Sequence, residues 1–290
     1  MGTQIALALS LLAAVCYGVC HFVNGVLSRR ASGLAIGALA QIGGTLIVLP
    51  AVPLYPASHV SPAALGWGAL SGVGSAGLAF LYRGMERGQI SVVEPVSELT
   101  ASALPVGFGI AIGQALSPAS VAGIAVTFPA LWLASRTRRP AGPGGRRLRP
   151  AGGAGMASGI LDGLTGGAGV ALTWIALSRA SPAAGLWPLA LSRAVSLAIM
   201  LVIAWRMRAP LRVSRPTLLV AYVAGAIGTV ATGLYMFAAR AEPIAVASVI
   251  TGFYPLIPVV AAVLFVKERL GVPQLAGLVL AGAAIVLLAL

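Results

Sequence analysis

The fold of this chain is decided by long apolar runs, of which the first is residues 4–27, QIALALSLLAAVCYGVCHFVNGVL. The run contains no Asp, Glu, Lys or Arg, and it is long enough for a helix that crosses a bilayer, which needs about 20 mostly apolar residues. No positive residues precede it and it extends too far for a secretory leader, so we interpret it as a first membrane helix. Nine similar runs follow, at residues 33–55, 62–82, 89–112, 118–135, 152–177, 183–205, 216–239, 244–266 and 273–290.

The composition assigns the whole chain to the membrane. Of the 290 residues, 59% are hydrophobic and 9% are charged, whereas about 25% of the residues of a soluble domain are charged. The net charge of +13 does not indicate a nucleic-acid partner, because the bases lie in short gaps between apolar runs and form no face with interleaved aromatics. With two Cys and two His, neither a structural metal site nor a cofactor is expected.

A basic, Pro- and Gly-rich segment divides the chain in two. Residues 136–151 begin RTRRPAGPGGRRLRP and are typical of a flexible linker. The halves, 1–135 and 152–290, hold five apolar runs each and align with matches that include Ile90/Ile244, Val92/Val246 and Val106/Val260. Because five is an odd number, a repeated half would cross the membrane in the opposite direction. The sequence therefore predicts an all-α polytopic membrane protein with ten transmembrane helices in two inverted five-helix repeats.

The basic residues alternate between gaps. Sixteen of the nineteen Lys and Arg residues lie in the first, third, fifth, seventh and ninth gaps between runs, while Arg179 and Arg240 lie in the others. Cytoplasmic loops carry the excess of Lys and Arg. We therefore expect a multi-pass protein of the bacterial plasma membrane with the linker in the cytoplasm and both termini outside.

Four charged residues fall within the predicted helices: Glu94, Glu98, Asp162 and Arg193. Each costs about 2.5–3.5 kcal/mol at a helix centre. At about 1.5 Å per residue, Glu98, Asp162 and Arg193 lie about 12–15 Å along their helices. That is near the midplane, where transporters with inverted repeats bind substrate. These residues are candidates for substrate binding or ion coupling; the alternative is interhelical hydrogen bonding.

A polar stripe on the first helix gives three more candidates. Tyr17, His21 and Asn24 follow each other at spacings of four and three, which places them on one helix face. They are expected either to face substrate or to hydrogen-bond to neighbouring helices. Similar stripes hold Ser91 with Glu94 and Glu98, Asp162 with Thr165, and Arg193 with Ser192 and Ser196.

Two of these charges suggest specific roles. Glu94 and Glu98 are one turn apart, and crowding of like charges in a desolvated site favours the protonated form of at least one, which suggests proton coupling. Arg193 keeps its charge, and its guanidinium fork fits a carboxylate of the protein or of a substrate. Pairing with a helix carboxylate is the favoured interpretation, because unpaired charges at the midplane are rare.

Prolines predict bends in two helices that occupy corresponding positions in the halves. Pro95 and Pro105 lie in the fourth run, and Pro255 and Pro258 lie in the ninth. Carbonyls freed by proline in a membrane helix are tolerated where they line a cavity. The two helices are therefore expected to bend beside a central cavity.

Several stretches resemble the EamA-type members of the drug/metabolite transporter superfamily. They are AAVCYGVCHFVNGVLSRR at 13–30, LYRGMERGQISVVEPVSELTASALPV at 81–106, AGLWPLALSRAVS at 184–196 and PIAVASVITGFYPLIPVVAAVLFVKERLGVPQLAGLVLAGAAIVLL at 243–288. The first half departs from the pattern, because Gln114 lies where the second half has Glu268. The resemblance implies ten helices in two inverted repeats around a central cavity. It also implies transport of metabolites, amino acids or drugs, often as export, without fixing the substrate.

The function expected from the sequence is secondary transport of a small molecule, not catalysis. No GxxxxGK[ST] motif occurs, so transport would draw on a gradient or be facilitated. A membrane-embedded enzyme is the first alternative, but the chain has no HExxH or GxSxG motif. The second alternative is a membrane receptor or assembly component without flux. The expected partners are the substrate, the lipid bilayer and coupling protons, and a homodimer is left open.

Overall fold

The computed structural model describes residues 3–28, 31–87, 90–134, 153–257, 260 and 271–290, and this part of the chain is helical without any strand. Eleven α-helices lie within it: α1 Thr3–Ser28, α2 Gly33–Ala51, α3 Pro62–Ala76, α4 Leu78–Glu86, α5 Ile90–Ala111, α6 Pro118–Ala134, α7 Gly153–Arg179, α8 Trp187–Arg206, α9 Arg215–Ala238, α10 Ile244–Thr251 and α11 Val272–Ala289. A short 3₁₀ turn, Pro182–Ala184, precedes α8.

The helices have the length and surface of membrane spans. Seven described segments are long and apolar enough to cross a bilayer: Gln4–Ser28, Gly33–Ala51, Pro62–Glu86, Ala157–Arg179, Trp187–Arg206, Arg215–Ala238 and Val272–Ala289. Large apolar side chains such as Leu219, Val223 and Val279 are exposed on the outside of the bundle. An apolar surface of this kind needs lipid or another partner to cover it. The prediction of an all-α polytopic membrane protein is confirmed.

Three predicted spans are not among these seven. The fifth is the shorter apolar helix α6. The fourth is α5, helical over its 22 residues. The ninth is described only at its start, as α10, because residues 258–259 and 261–270 lie outside the described part of the chain. The linker at 136–151 and the turn Lys267–Leu270 lie outside it as well.

Serine and proline mark where several helices begin. The Ser61 hydroxyl accepts a hydrogen bond from the Ala64 N–H at the start of α3, and the Ser214 hydroxyl does the same for Thr217 at the start of α9. Proline follows within two residues in both cases, where its missing N–H costs nothing. The serine cap and the following proline therefore define the residue at which each of these two helices begins.

The first, third and seventh gaps, which are predicted to be cytoplasmic, lie with the start of α7 at one end of the bundle, which we call the basic end. The backbone N–H of Gly33 donates to the Glu86 carboxylate at 2.8 Å, which joins the start of α2 to the end of α4. Arg87 donates to the Ser158 hydroxyl near the start of α7, at 3.2 Å. Ala209, after α8, packs against a buried cluster that includes Leu34.

The remaining gaps meet at the opposite end. The backbone N–H of His59, between α2 and α3, donates to the Ala183 carbonyl before α8. Arg240, after α9, donates to the Gly185 carbonyl at 3.3 Å. Among the gaps that the structure describes, successive ones therefore alternate between the two ends, in agreement with the distribution of basic residues.

The alternation gives a topology test. We expect the basic end to be cytoplasmic and the C-terminus to be outside, because Lys and Arg accumulate in cytoplasmic loops. A C-terminal alkaline phosphatase fusion should be active, and a C-terminal green fluorescent protein fusion should be dark. Strong fluorescence without phosphatase activity would contradict this orientation.

The two halves of the chain pack against each other throughout the bundle. Helix α5 packs on α7, α3 packs on α8 and α7, α1 and α2 pack on α9, and α6 packs on α11. Each of these pairs joins a helix from before the linker to one from after it. The space inside the bundle is therefore enclosed by both halves together.

The prolines have different effects in α5 and α10. Helix α10 ends at Thr251, and Tyr254 N–H donates to the Thr251 carbonyl while Ile257 N–H donates to the Tyr254 carbonyl. These bonds to the third preceding residue form a tight turn, with Pro255 inside it. The bend predicted at Pro255 is therefore an interruption of the helix, whereas α5 stays helical through Pro95 and Pro105. Pro258 lies outside the described residues.

Candidate functional site

A cavity, here the central cavity, lies among α1, α2, α3, α4, α7, α8 and α9 and the turn after α10. The volume that the centre of a water molecule can occupy in this cavity is about 40 Å³. This is enough for a few waters. Its described lining consists mainly of aromatic and uncharged polar side chains with one arginine: Tyr17, Cys20, His21, Asn24, Gln41, Ser75, Leu78, Tyr82, Val170, Thr173, Trp174, Arg193, Thr232 and Tyr254, with Gly37, Ala40, Gly225 and Gly228.

Arg193 on α8 is the cation of this lining. Only 6% of the residue is exposed. Its Nη1 donates to the Gln41 side-chain carbonyl at 3.2 Å, and its Nη2 donates to the Ser75 hydroxyl at 3.0 Å. Ser75 in turn lies 3.1 Å from the Thr173 hydroxyl. A network of neutral groups from α2, α3 and α7 therefore fixes the guanidinium.

The favoured sequence interpretation of Arg193, a pair with a helix carboxylate, is not what the structure contains. Asp162 makes two ion pairs with described residues, and its partners are Arg83 and Arg87. The partners of Arg193 come from other helices and carry no charge. Gln41 could have been found from the sequence, because it is the one amide in its apolar run and polar groups are costly there.

The stripe predicted on α1 faces the cavity. The Tyr17 hydroxyl lies 2.8 Å from the Thr232 hydroxyl of α9 and accepts a bond from the Trp174 indole at 3.4 Å. The Asn24 amide donates to the Tyr82 hydroxyl at 3.2 Å. Tyr17 and Asn24 therefore hydrogen-bond to neighbouring helices, as the second interpretation expects, and they also line the cavity.

Aromatic rings form much of the remaining wall. His21 stacks on Tyr254 with 4.8 Å between ring centroids, and Trp174 stacks on Tyr235 at 5.2 Å. Tyr17 lies between these pairs, 6.1 Å from Trp174. The sequence stripe did not find Trp174, Tyr82 and Tyr254, because they reach the cavity from α7, α4 and the turn after α10.

Three polar atoms at the cavity have no hydrogen-bond partner among the described residues. They are Nδ1 of His21, Oδ1 of Asn24 and Nε of Arg193, and all three are buried. Buried polar groups in proteins almost always have a hydrogen-bond partner. Water or a ligand in the cavity would supply the partners that the side chains around it do not.

Glu98 lies outside the cavity lining, behind Tyr254. It is 2% exposed, and its Oε1 accepts a bond from the Ser102 hydroxyl at 3.3 Å. A Cβ on Gly252 would lie 3.0 Å from that oxygen, so the turn after α10 covers the carboxylate closely. The Tyr254 hydroxyl faces Glu98, while the ring of Tyr254 stacks on His21.

The two glutamates of α5 have different surroundings. Glu94 is exposed on the bundle surface, whereas Glu98 one turn later is buried. The Ser91 side chain, the third member of the predicted stripe, lies outside the described residues. The structure therefore directs attention to Glu98 as the member of this pair that is close to the cavity.

Asp162 does not lie near the midplane, where its depth in the helix had predicted it. It is buried between two arginines of the basic end: Arg83 and Arg87, whose Nη1 lies 3.5 Å from Oδ2. Helix α7 has 27 residues and is about 40 Å long, which exceeds the roughly 30 Å of the hydrocarbon core. Distance from the start of such a helix therefore overestimates depth in the membrane.

The described residues contain no group of three His, Cys, Asp or Glu side chains that could bind a metal ion. The central cavity itself offers hydrogen-bonding groups, flat aromatic faces and one positive charge. These are features of a binding site for a small organic molecule.

Comparisons with known proteins agree with this architecture. A crystal structure of a protein superposes with a TM-score of 0.74 over 98% of both chains at 15% identity, a level at which the likeness shows the fold alone. The comparison with curated proteins gives no match. Residues 157–290 match the EamA-like transporter family. This match confirms, over the second half of the chain, the resemblance to the EamA-type transporters that was found in the sequence.

Proposed function

We propose that the chain is a secondary transporter that exports a small metabolite, amino acid or drug across the bacterial plasma membrane by alternating access. The observation that carries this proposal is the central cavity, enclosed by helices of both halves and lined by groups that can bind a small molecule. The family match over the second half supports it, because the EamA-like family is a family of transporters.

The helix packing supports two inverted five-helix repeats, residues 1–135 and 152–290. Exchange of the halves relates α1 to α7, α2 to α8, α3 with α4 to α9, α5 to α10 and α6 to α11. The contact of α3 with α8 then corresponds to that of α9 with α2, and the contact of α5 with α7 corresponds to that of α10 with α1. The contact of α6 with α11 corresponds to itself. Such symmetry is expected of repeats inserted in opposite orientations, which require ten spans.

The contacts at the two ends suggest how access alternates. At the basic end, Asp162 of α7 joins Arg83 of α4. At the opposite end, Arg240 reaches the Gly185 carbonyl. In this proposal, each set of contacts opens in turn while the other stays closed, which exposes the cavity to one side at a time.

Transport itself is the first test. A thermal-shift screen of metabolites on the purified protein would supply a substrate, and counterflow of that substrate would be measured in proteoliposomes. A transporter gives counterflow, whereas a membrane enzyme or a receptor gives none. The absence of counterflow with a ligand that stabilises the protein would overturn the proposed function.

Proton coupling is proposed for Glu98. The carboxyl is buried, its Oε2 has no hydrogen-bond partner among the described side chains, and Tyr254 lies between it and the cavity. A change in the charge of Glu98 would alter its interaction with the Tyr254 hydroxyl and, through the stacked ring, the position of His21. The ionisable groups that act on Glu98 are Glu94 on the same helix and Tyr254 from the turn.

Neutralising Glu98 is therefore expected to uncouple transport from the proton gradient. The Glu98→Gln variant should lose accumulation of substrate driven by a pH difference and keep exchange of substrate for substrate. Glu94→Gln is the matched control on the exposed side of α5, and it should keep more of the gradient-driven uptake. If the double variant, Glu94→Gln with Glu98→Gln, still concentrates substrate in response to a pH difference, neither carboxyl is the coupling group.

A further inference from the structure

We infer that the central cavity binds an organic monoanion through a carboxylate held by Arg193, with a flat part of the ligand against the aromatic wall. The inference rests on the proposed function only in identifying this cavity with the transport site. It assigns the substrate a charge and a recognition group, which membership of the family leaves undefined.

The first step is the charge of the described lining. Arg193 contributes a permanent positive charge, and the described lining residues include no Asp or Glu. The ionisable groups that act on Arg193 are the Tyr17, Cys20 and Tyr82 side chains, which are ordinarily neutral at pH 7. A buried charge is stable when it is paired, so a ligand that supplies one negative charge complements this site.

The second step is the hydrogen-bonding capacity of Arg193. A guanidinium has five N–H groups, and the described contacts use one on each terminal nitrogen, toward Gln41 and Ser75. The Nε–H has no partner in the part of the chain that the structure describes. Because Gln41 and Ser75 fix the plane of the fork, its unused N–H groups are positioned before a ligand arrives. A carboxylate, whose two oxygens match the fork, is the anion that uses them best.

The third step is the rest of the pocket. The rings of Tyr17, His21, Trp174 and Tyr254 present faces and edges suited to a planar group. A single arginine does not neutralise a dianion, and the described lining of the cavity contains no carboxylate that could hold an organic cation. The pocket therefore favours a flat monocarboxylate over phosphate monoesters and over cationic compounds.

Three nearly isosteric probes separate charge from shape: benzoate, benzamide and benzamidine, which carry charges of about −1, 0 and +1 at neutral pH. Their binding to the purified full-length protein would be measured by calorimetry and by quenching of tryptophan fluorescence. Benzoate is expected to bind about tenfold or more tightly than benzamide, which is the effect of one charge-assisted hydrogen-bonded pair. Benzamidine is expected not to bind.

Two variants of Arg193 make the assignment specific. Arg193→Gln should reduce the preference for benzoate over benzamide to less than about twofold. Arg193→Lys should retain part of it, because lysine keeps the charge and loses the fork. Arg206→Gln, an exposed arginine on the same helix α8, is the matched control and should bind all three probes as the unaltered protein does. Should Arg193→Gln fail to fold, the charge series on the unaltered protein and Arg193→Lys still decide.

Equal binding of the three probes, absence of benzoate binding, or a full preference for benzoate in Arg193→Gln would overturn the inference. Its failure is distinguishable from failure of the proposed function. Benzoate binding that depends on Arg193 without counterflow of any carboxylate would retain the anion site and reject transport. Counterflow of a neutral or cationic substrate without benzoate binding would retain transport and reject the anion site.

Discussion

Replacement of Gly225 by alanine is expected to prevent α2 and α9 from packing and to remove most of the folded protein. A Cβ on Gly225 would lie 2.5 Å from the Cα of Ala40. Real Cβ atoms essentially never come within 3.0 Å of such an atom. A Cβ on Gly43 would lie 2.6 Å from the Cα of Tyr222 across the same contact. Because both sides of the contact are backbone, only separation of the helices relieves the overlap. We expect Gly225→Ala to lower the free energy of unfolding by about 3 kcal/mol or more.

The consequence would extend to the cavity, because Ala40 and Gly225 line it and Gln41, the next residue on α2, holds Arg193. The measurement is size-exclusion chromatography of a fluorescent fusion in detergent, followed by thermal unfolding of the remaining monodisperse protein. We expect Gly225→Ala to lose the monodisperse peak or to unfold at a much lower temperature.

Glycines that lie elsewhere in the helices provide the matched control. A Cβ at Gly107 of α5 or Gly282 of α11 would meet no atom within 4 Å. Alanine is favoured over glycine in a helix by about 1 kcal/mol, so Gly107→Ala and Gly282→Ala should be neutral or slightly stabilising. If Gly225→Ala unfolds at the temperature of these controls, the close approach of α2 and α9 is not essential for folding.

The second large effect is expected at the ion pair of the basic end. Asp162 is 1% exposed, while Arg83 is 24% exposed and Arg87 is 47% exposed at the side chain. Loss of one partner from a buried pair costs about 3–5 kcal/mol, because the other charge stays buried. We expect Arg83→Gln to destabilise the protein by about 3 kcal/mol, the lower end of that range, since Arg83 keeps some contact with solvent.

A double variant distinguishes charge from packing. Arg83→Gln combined with Asp162→Asn removes both charges and should recover most of the lost thermal stability. Arg87→Gln is the control at the more exposed and more distant arginine, and surface pairs of that kind contribute about 1 kcal/mol or less. A double variant no more stable than Arg83→Gln alone would mean that the arginine acts through its packing over the Phe80 ring.

The alternation of the loops between the two ends was predictable because each gap carries its own signal. Basic residues accumulate in every second gap, and this is a count along the sequence that needs no contact between helices. The contacts of Gly33 with Glu86 and of Arg87 with Ser158 then bring the basic gaps together. The stripe of Tyr17, His21 and Asn24 was also readable, since helical spacing defines a face within one helix.

The surroundings of Arg193 and Asp162 were not predictable in the same way. Arg193 bonds to Gln41, 152 positions away, and Asp162 bonds to Arg83, 79 positions away. Depth along a helix placed both charges near the midplane, but depth does not say which neighbour a side chain faces. It also fails for α7, whose length exceeds the bilayer core.

The sequence by itself determined that this chain forms apolar helices in a membrane, which gaps lie at the same end, and which face of α1 is polar. Each of these follows from the composition or the periodicity of a single segment. Only the tertiary structure decided that Arg193 rests on neutral partners, that Trp174 and Tyr254 complete the cavity, and that Glu98 lies behind its wall. The physical reason is that the environment of a buried polar group depends on the register between helices. That register is fixed by close contacts such as Gly225 against Ala40, which no pattern within one helix reveals.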